Sequence, residues 1–152
     1  MQNKVSEMLG YFHQIIELTN VSLSEEQIAL FGRYYEILLE YNQRINLTRI
    51  IEPKDVAVKH FWDSIAVLDA KVFLPSCSVM DVGTGAGFPG IPIAILRRDI
   101  HVTLVDSLRK RTDFLSEAIQ LLGLDNVSVV WARAEEIGRS PLHREKYDVV
   151  LA

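Results

Sequence analysis

Apolar residues recur at helical spacing through the first part of the chain. From Ser6 to Leu18 this spacing predicts an amphipathic helix. Ser24 with Gln27 forms a capping box, and the apolar stripe in IALFGRYYEILLEYNQRI predicts a second helix behind it. Pro53, which is tolerated in a first helical turn, predicts a third helix in PKDVAVKHFWDSIAVLDA. Residues 1–72 are therefore expected to form a helical cap.

The pattern changes after Pro75. Short runs rich in β-branched residues follow, with little alternation of polar and apolar positions: SVMDVG, HVTLVD, NVSVVWA and YDVVLA. Such runs are typical of strands that are covered on both faces, and helical segments at 90–98 and 109–123 separate the first three. Strand–helix–strand units of this length favour parallel pairing. The predicted fold class is α/β, with residues 73–152 forming the first four strands of a Rossmann-like sheet.

The composition, with 49% hydrophobic and 24% charged residues, is that of a soluble globular protein. The N-terminal MQNKVSEM lacks the pattern of a signal peptide, and the apolar stretch at 91–96 is too short to span a bilayer. The single cysteine, Cys77, excludes an internal disulfide and a thiolate-rich metal cage. We therefore expect a cytoplasmic protein with no membrane partner and no metal.

The net charge of −4 argues weakly against a nucleic-acid partner, but the charges are unevenly distributed. The acidic excess lies in the first half, whereas basic groups such as Arg97-Arg98 and Arg109-Lys110-Arg111 lie in the second. These groups fit either contacts to RNA phosphates or solvated helix ends, and the second alternative is favoured.

The segment DVGTGAGFPG, residues 81–90, places four glycines directly after the first predicted strand. Ligands of open parallel sheets bind beyond the carboxyl ends of strands, where the strand order reverses. A phosphate-binding P-loop is excluded, because no Gly-Lys-Ser/Thr is present. The Gly85-x-Gly87-x-x-Gly90 spacing matches a dinucleotide pattern, but Pro89 and Pro92 each remove an N–H that pyrophosphate would need. A nicotinamide-dependent oxidoreductase is thus a weak alternative.

Acidic residues at the strand ends favour a ligand without phosphate. Asp81 precedes the glycines, and Asp106 ends the second strand, where a carboxylate can accept hydrogen bonds from both ribose hydroxyls. Gly83 and Gly85 let the main chain approach a ligand closely. Ala134-Glu135 can read an adenine edge, although an ordinary helix start gives the same pattern. S-adenosylmethionine, which has a ribose, an adenine and a cationic sulfonium, is the expected cofactor.

The segments DVGTGAGFPGIPIAI, VTLVDSLRKRTDFL, RAEE and YDVVLA together resemble the bacterial 16S ribosomal RNA guanine-N7 methyltransferase family, methyltransferase G or glucose-inhibited division protein B. YNQRINLTRI and VKHFWDSI are similar to its N-terminal signatures. The resemblance implies a Rossmann-like S-adenosylmethionine-dependent methyltransferase sheet, with 16S ribosomal RNA or the small ribosomal subunit as partner. It also implies a cofactor pocket lined by Gly83, Phe88, Asp106, Ser107, Leu108, Ala134 and Glu135. Gly85, which belongs to the glycine pattern, completes this set.

The implied reaction makes light chemical demands. Guanine N7 is an unprotonated lone pair, so no base has to remove a proton before attack, and catalysis is by positioning. The sequence accordingly names no catalytic residue. A non-catalytic nucleotide- or RNA-binding module is the alternative function.

Four other residues invite a functional interpretation. His60 and Asp63 share a helical face, but two ligands are too few for a metal site. We expect a histidine that is hydrogen-bonded between the cap and the sheet, with substrate contact as the alternative. Cys77 precedes the first strand, at the wrong end of the sheet for catalysis, and is expected to be a packing residue. Trp131 is expected in the core.

Members of the resembled family continue past YDVVLA with an arginine-containing segment and further strands. We therefore expect a C-terminally truncated form that binds cofactor weakly and transfers methyl groups poorly or not at all. In the family's strand order the fourth strand pairs with the first, so its other edge is left unpaired. Such an edge is a template for self-association.

Overall fold

The computed structural model describes residues 1–152 and begins with two long helices, α1 (Gln2–Glu17) and α2 (Glu25–Ile45). Ser24 caps α2: its hydroxyl accepts from the Gln27 N–H at 3.1 Å, and its own N–H donates to the Gln27 side chain at 2.9 Å. The two predicted helices and the capping box are confirmed.

The third predicted helix begins at Pro53 but changes type along its length. It comprises α3 (Pro53–Asp55), a π-helical segment (Val56–Trp62), α4 (Asp63–Ala66) and a 3-10 turn (Val67–Asp69). The sequence pattern predicted one regular helix and did not reveal the wider turn. Because π-helical turns are rare and recur at functional sites, the segment that carries His60 is of particular interest.

Four parallel strands form one sheet in the order β3-β2-β1-β4. They are β1 (Ser78–Val82), β2 (His101–Asp106), β3 (Val127–Trp131) and β4 (Val149–Leu151). The intervening helices are α5 (Gly90–Leu96), α6 (Arg109–Leu121) and α7 (Ala134–Arg139). The predicted α/β class and the pairing of β4 with β1 are confirmed. Strand order reverses at β1, so the loop that leaves β1 occupies the position where open sheets bind ligands.

One apolar cluster joins the helical cap to a face of the sheet. At its centre the rings of Phe12, Phe31 and Phe61 lie 4.8–5.6 Å apart, and strand residues such as Val79 continue the cluster. Each fully buried ring contributes about 1.5–3 kcal/mol, so the cap and the sheet stabilise one another. Cys77 is buried, which confirms it as a packing residue, and burial raises the pKa of its thiol.

The loop after β1, here called the glycine loop (residues 83–90), is fixed by a buried carboxylate. Asp81 is 2% exposed, and its Oδ2 accepts from the Thr84 hydroxyl at 2.6 Å and from the Gly90 N–H at 3.0 Å. A single oxygen therefore ties both ends of the loop to β1. Burial raises the pKa of Asp81 to about 6, although the bonds from Thr84 and Gly90 oppose the rise.

The helical cap supports the same loop from the other side. Tyr34 of α2 is fully buried, and its hydroxyl donates to the Ala86 carbonyl. A Cβ on Gly87 would lie 2.8 Å from the Tyr34 oxygen, and one on Gly90 would lie 2.2 Å from Leu104 Cδ2. Both glycines are therefore required by close packing.

Replacing Gly90 with alanine is expected to lower the free energy of unfolding by about 1–3 kcal/mol, because the new methyl group overlaps Leu104 and the Asp81 carboxylate. Gly10 is the matched control, since it lies in α1 with nothing within 4 Å of an added Cβ. Gly10→Ala should raise stability by about 0.5–1 kcal/mol, as expected for a mid-helix glycine. Urea unfolding measures both, and equal effects would contradict the packing described for the loop.

The raised pKa of Asp81 predicts a pH-dependent stability. Its folded-state pKa of about 6 lies above the ordinary value of ~3.9, so the protonated carboxyl favours the folded state. This contribution to the free energy of unfolding is fully present below pH ~3.9. The contribution, of the order of 3 kcal/mol, is lost as pH rises through about 6. Asn keeps the shape and an acceptor oxygen without the charge, so the stability advantage of Asp81→Asn should shrink as pH falls from 8 to 5. Chemical unfolding across that range checks it, and a pH-independent difference would be the contrary result.

Candidate functional site

A cavity of about 460 Å³ opens where β1, β2 and β3 end, and we call it the strand-end cavity. It is lined by residues that end or follow these three strands: Val82, Gly83, Asp106, Ser107, Leu108, Ala132, Arg133, Ala134 and Glu135. Six of the eight sequence-predicted cofactor residues are among them, and Gly85 and Phe88 are not. Parallel pairing is the reason, because it brings the carboxyl ends of all three strands to the same edge of the sheet.

Gly83 and Gly85 present open main chain beside this cavity. Their φ angles are +72° and +62°, which favours glycine, and an added Cβ at either position would meet nothing within 4 Å. The Gly83 N–H donates to the Val105 carbonyl at 2.8 Å, and the Gly85 N–H donates to Asp106 Oδ2 at 3.0 Å. The loop is thus bonded to the end of β2 while its surface stays accessible.

Asp106 is the acidic centre of the strand-end cavity and is 3% exposed. Its Oδ1 accepts from the Leu108 N–H at 2.9 Å, and its Oδ2 accepts from Gly85 and lies 3.5 Å from Arg111 Nη1. A carboxylate has about four acceptor positions, so one is left for a ligand hydroxyl. The sequence did not single out Arg111 as a neighbour of Asp106, because the pairing depends on how α6 leaves β2.

At the end of β3, Ala134 begins α7, and Glu135 lies in its first turn. The Arg133 N–H donates to the Glu136 carboxylate at 3.1 Å, as at an ordinary capped helix start. The two interpretations of Ala134-Glu135 are therefore compatible: the pair starts a helix and also lines the strand-end cavity.

The expectation that Trp131 belongs to the core is wrong. Its side chain is 57% exposed, because it is the last residue of the sheet's edge strand. The indole N–H donates to the Ser107 carbonyl at 3.0 Å, and the Arg109 guanidinium lies 5.0 Å from the ring centre. Trp131 therefore helps to fix the position of the loop that contributes Ser107 to the cavity.

Phe88 belongs to a second cavity of about 340 Å³, which we call the cap cavity. The cap cavity is lined by Lys59, Asp63, Ser64, Val67, Phe88, Pro89, Leu151 and Ala152. The Phe88 ring stacks on His60, with ring centres 4.1 Å apart, and His60 Nε2 lies 3.1 Å from Thr48 Oγ1. The imidazole of His60 is therefore hydrogen-bonded within the helical cap and not to the sheet, and it meets the glycine loop through its stack on Phe88. Burial lowers the pKa of His60.

The N–H groups of the glycine loop are already engaged. Six of its eight residues donate an N–H within the chain, and Pro89 has none to give. A pyrophosphate requires several free N–H donors, so this loop is a poor phosphate cradle. The geometry therefore weakens the dinucleotide alternative that the glycine spacing left open.

Four of the five basic residues in Arg97-Arg98 and Arg109-Lys110-Arg111 are paired with carboxylates within the chain. Arg97 binds Asp99 at 2.7 Å, and Arg98 lies 3.1 Å from Asp125. Arg109 and Arg111 likewise have the carboxylate partners Asp113 and Asp106. These pairs favour the interpretation of the basic groups as solvated helix surface.

No group of three or more His, Cys, Asp and Glu side chains is placed to hold a metal ion. None of the helices has the length and apolar character needed to cross a membrane.

Comparison with known sequences gives a consistent match. The family model described as "GidB: rRNA small subunit methyltransferase G" matches residues 27–152. A relative named ribosomal RNA small subunit methyltransferase G, from Desulforamulus reducens, is 55% identical over 86% of this chain and 54% of its own length. The protein of the same name from Trichormus variabilis is 44% identical over 99% of this chain and 62% of its own length. The chain thus spans a little over half of the length of these relatives.

Solved structures agree on the fold. A putative O-methyltransferase from Klebsiella pneumoniae has a TM-score of 0.59 at 18% identity, covering 91% of this chain and 56% of that chain. A protein-L-isoaspartate O-methyltransferase has a TM-score of 0.52 at 16% identity, covering 97% of this chain and 47% of that chain. The predicted Rossmann-like methyltransferase architecture is confirmed. Since the family model covers most of the sequence, the chain belongs to the GidB family, rRNA small subunit methyltransferase G.

Proposed function

We propose that this chain provides the cofactor-binding part of a cytoplasmic enzyme that methylates N7 of a guanine in 16S ribosomal RNA with S-adenosylmethionine. The observation that carries the proposal is the strand-end cavity, where open glycine main chain faces the buried carboxylate of Asp106. Membership of the rRNA small subunit methyltransferase G family supports the RNA substrate. The substrate is free 16S ribosomal RNA or the small ribosomal subunit.

The groups around the strand-end cavity match the parts of S-adenosylmethionine. Asp106 accepts from one ribose hydroxyl through its remaining acceptor position, and the start of α7 offers an N–H and a carboxylate to the adenine edge. Leu108, whose side chain is 43% exposed, supplies an apolar surface for the ring. The proposed cofactor-binding set at this cavity is Gly83, Gly85, Asp106, Ser107, Leu108, Ala134 and Glu135, whereas Phe88 lines the cap cavity on the other side of the glycine loop.

Charge also favours this ligand over one with phosphate. Asp106 and Glu135 line the strand-end cavity together with the cation of Arg133, and a second cation, Arg111, lies 3.5 Å from Asp106. A sulfonium and an amino group gain from carboxylates and carbonyls, whereas a pyrophosphate finds few free N–H donors in the glycine loop. The bound sulfonium would supply the methyl group.

The residues of this chain contribute to the reaction by positioning. The glycine loop holds the methyl donor in a fixed place, because Asp81 and Tyr34 fix the loop itself. Guanine N7 carries a free lone pair, so alignment and the exclusion of water provide the rate enhancement. We assign no acid–base residue to the step.

Self-association through β4 is a further part of the proposal. This strand pairs with β1 alone, and the side chain of Val150 is 60% exposed. An unpaired strand edge beside exposed apolar surface supports pairing between two copies of the chain.

Calorimetric titration of the chain with S-adenosylmethionine, S-adenosylhomocysteine and NAD tests the cofactor. We expect the two adenosyl sulfur compounds to bind and NAD to give no signal. Asp106→Asn should weaken binding of S-adenosylhomocysteine by roughly 10-fold or more, because a hydrogen bond to a buried carboxylate is lost.

Asp125→Asn is the matched control, since Asp125 is an exposed aspartate paired with Arg98 away from both cavities. Thermal unfolding of each variant shows whether the fold is retained, because Asp106 also accepts from Gly85 and Leu108. Binding of NAD in place of the sulfur compounds would indicate an oxidoreductase. Failure of all three to bind would favour a non-catalytic RNA-binding module.

A further inference from the structure

We infer that the cap cavity binds the methyl-accepting base, and that Asp63 selects guanine by accepting hydrogen bonds from its N1–H and 2-amino group. This inference rests on the proposed function and adds the place and the recognition of the base. It follows from the relation between the two cavities, from the free carboxylate of Asp63 and from the fixed aromatic wall at Phe88.

The two cavities lie on either side of the glycine loop. Gly83 lines the strand-end cavity, whereas Phe88 and Pro89 line the cap cavity. The strand-end cavity extends over β1, β2 and β3, and the cap cavity meets the sheet at Leu151 of β4, on the other side of β1. An acceptor must approach the sulfonium from the side that the adenosine does not occupy. That side is the cap cavity.

Asp63 is an exposed carboxylate in this cavity whose side chain has no hydrogen bond or ion pair within the chain. Its neighbour Lys59, which also lines the cavity, is paired with Asp55 at 2.9 Å and not with Asp63. On the same helical turn, the Ser64 hydroxyl is engaged with the His60 carbonyl. Asp63 is therefore the side chain of this wall with free acceptor capacity.

A carboxylate suits the Watson–Crick edge of guanine. That edge presents two adjacent donors, N1–H and the 2-amino group, which two carboxylate oxygens accept side by side as they accept a guanidinium. Adenine presents an acceptor at N1, which a carboxylate repels. N7 lies on the opposite edge of the purine, so a guanine held by Asp63 directs N7 towards the other wall, which the glycine loop forms.

The part of the cap cavity that the glycine loop forms is held by several contacts. Phe88 is stacked on His60 with an angle of 4° between the rings, and its ring centre lies 5.2 Å from that of the buried Tyr34. Thr48 holds His60 in turn, and the π-helical segment carries it. His60 already covers one face of the Phe88 ring, so a base packs against the remaining part of the ring that lines the cavity.

Nuclear magnetic resonance titrations with guanosine monophosphate and adenosine monophosphate test the inference, with and without saturating S-adenosylhomocysteine. The two nucleotides share a phosphate and a ribose, so their difference reports the base. We expect guanosine monophosphate to shift the His60 imidazole signals and to bind more tightly than adenosine monophosphate. Asp63→Asn should weaken the binding of guanosine monophosphate by about 10-fold and leave the binding of S-adenosylhomocysteine unchanged.

Asp69→Asn is the matched control, because Asp69 is an exposed aspartate on the following 3-10 turn outside the cavity. It should bind guanosine monophosphate as the unaltered chain does. Equal binding of the two nucleotides, or unchanged guanosine monophosphate binding by Asp63→Asn, would overturn the inference. So would binding of S-adenosylhomocysteine without any binding of guanosine monophosphate. If the unaltered chain does not bind S-adenosylhomocysteine, the proposed function itself is contradicted.

Discussion

One oxygen of a buried carboxylate organises the functional end of this protein. Asp81 Oδ2 accepts from both Thr84 and Gly90, so the two ends of the glycine loop are bonded to the same oxygen of β1. Burying this group is costly, as its raised pKa shows, and the hydrogen bonds from Thr84 and Gly90 offset part of that cost. The same bonds set a loop geometry that leaves Gly83 and Gly85 accessible. The two cavities and the stack of Phe88 on His60 depend on that geometry.

The helical cap is part of this arrangement as well as of the core. Tyr34 reaches from α2 to the Ala86 carbonyl, and His60 reaches from the π-helical segment to Phe88. Each contact joins a helix to the loop rather than to a strand. The helical cap therefore takes part in fixing the glycine loop, which borders both cavities.

The sequence predicted the elements better than their contacts. The strands, the capping box at Ser24 and the grouping of Gly83 with Asp106 follow from local patterns and from parallel pairing, which any sheet of this order must obey. The exposed position of Trp131, the bond between Arg111 and Asp106 and the π-helical segment depend on how elements pack, which residue spacing does not encode. For the same reason Phe88, adjacent in sequence to the cofactor glycines, lies in a different cavity from Asp106.

A crystal structure of this chain with S-adenosylhomocysteine shows whether the ends of the three strands hold the cofactor. We expect density for adenosine across the ends of β1, β2 and β3, with a ribose hydroxyl on Asp106 and the sulfur beside Gly83 and Gly85. Density at any other place, or a strand-end cavity closed by side chains in crystals grown at saturating ligand, would contradict it.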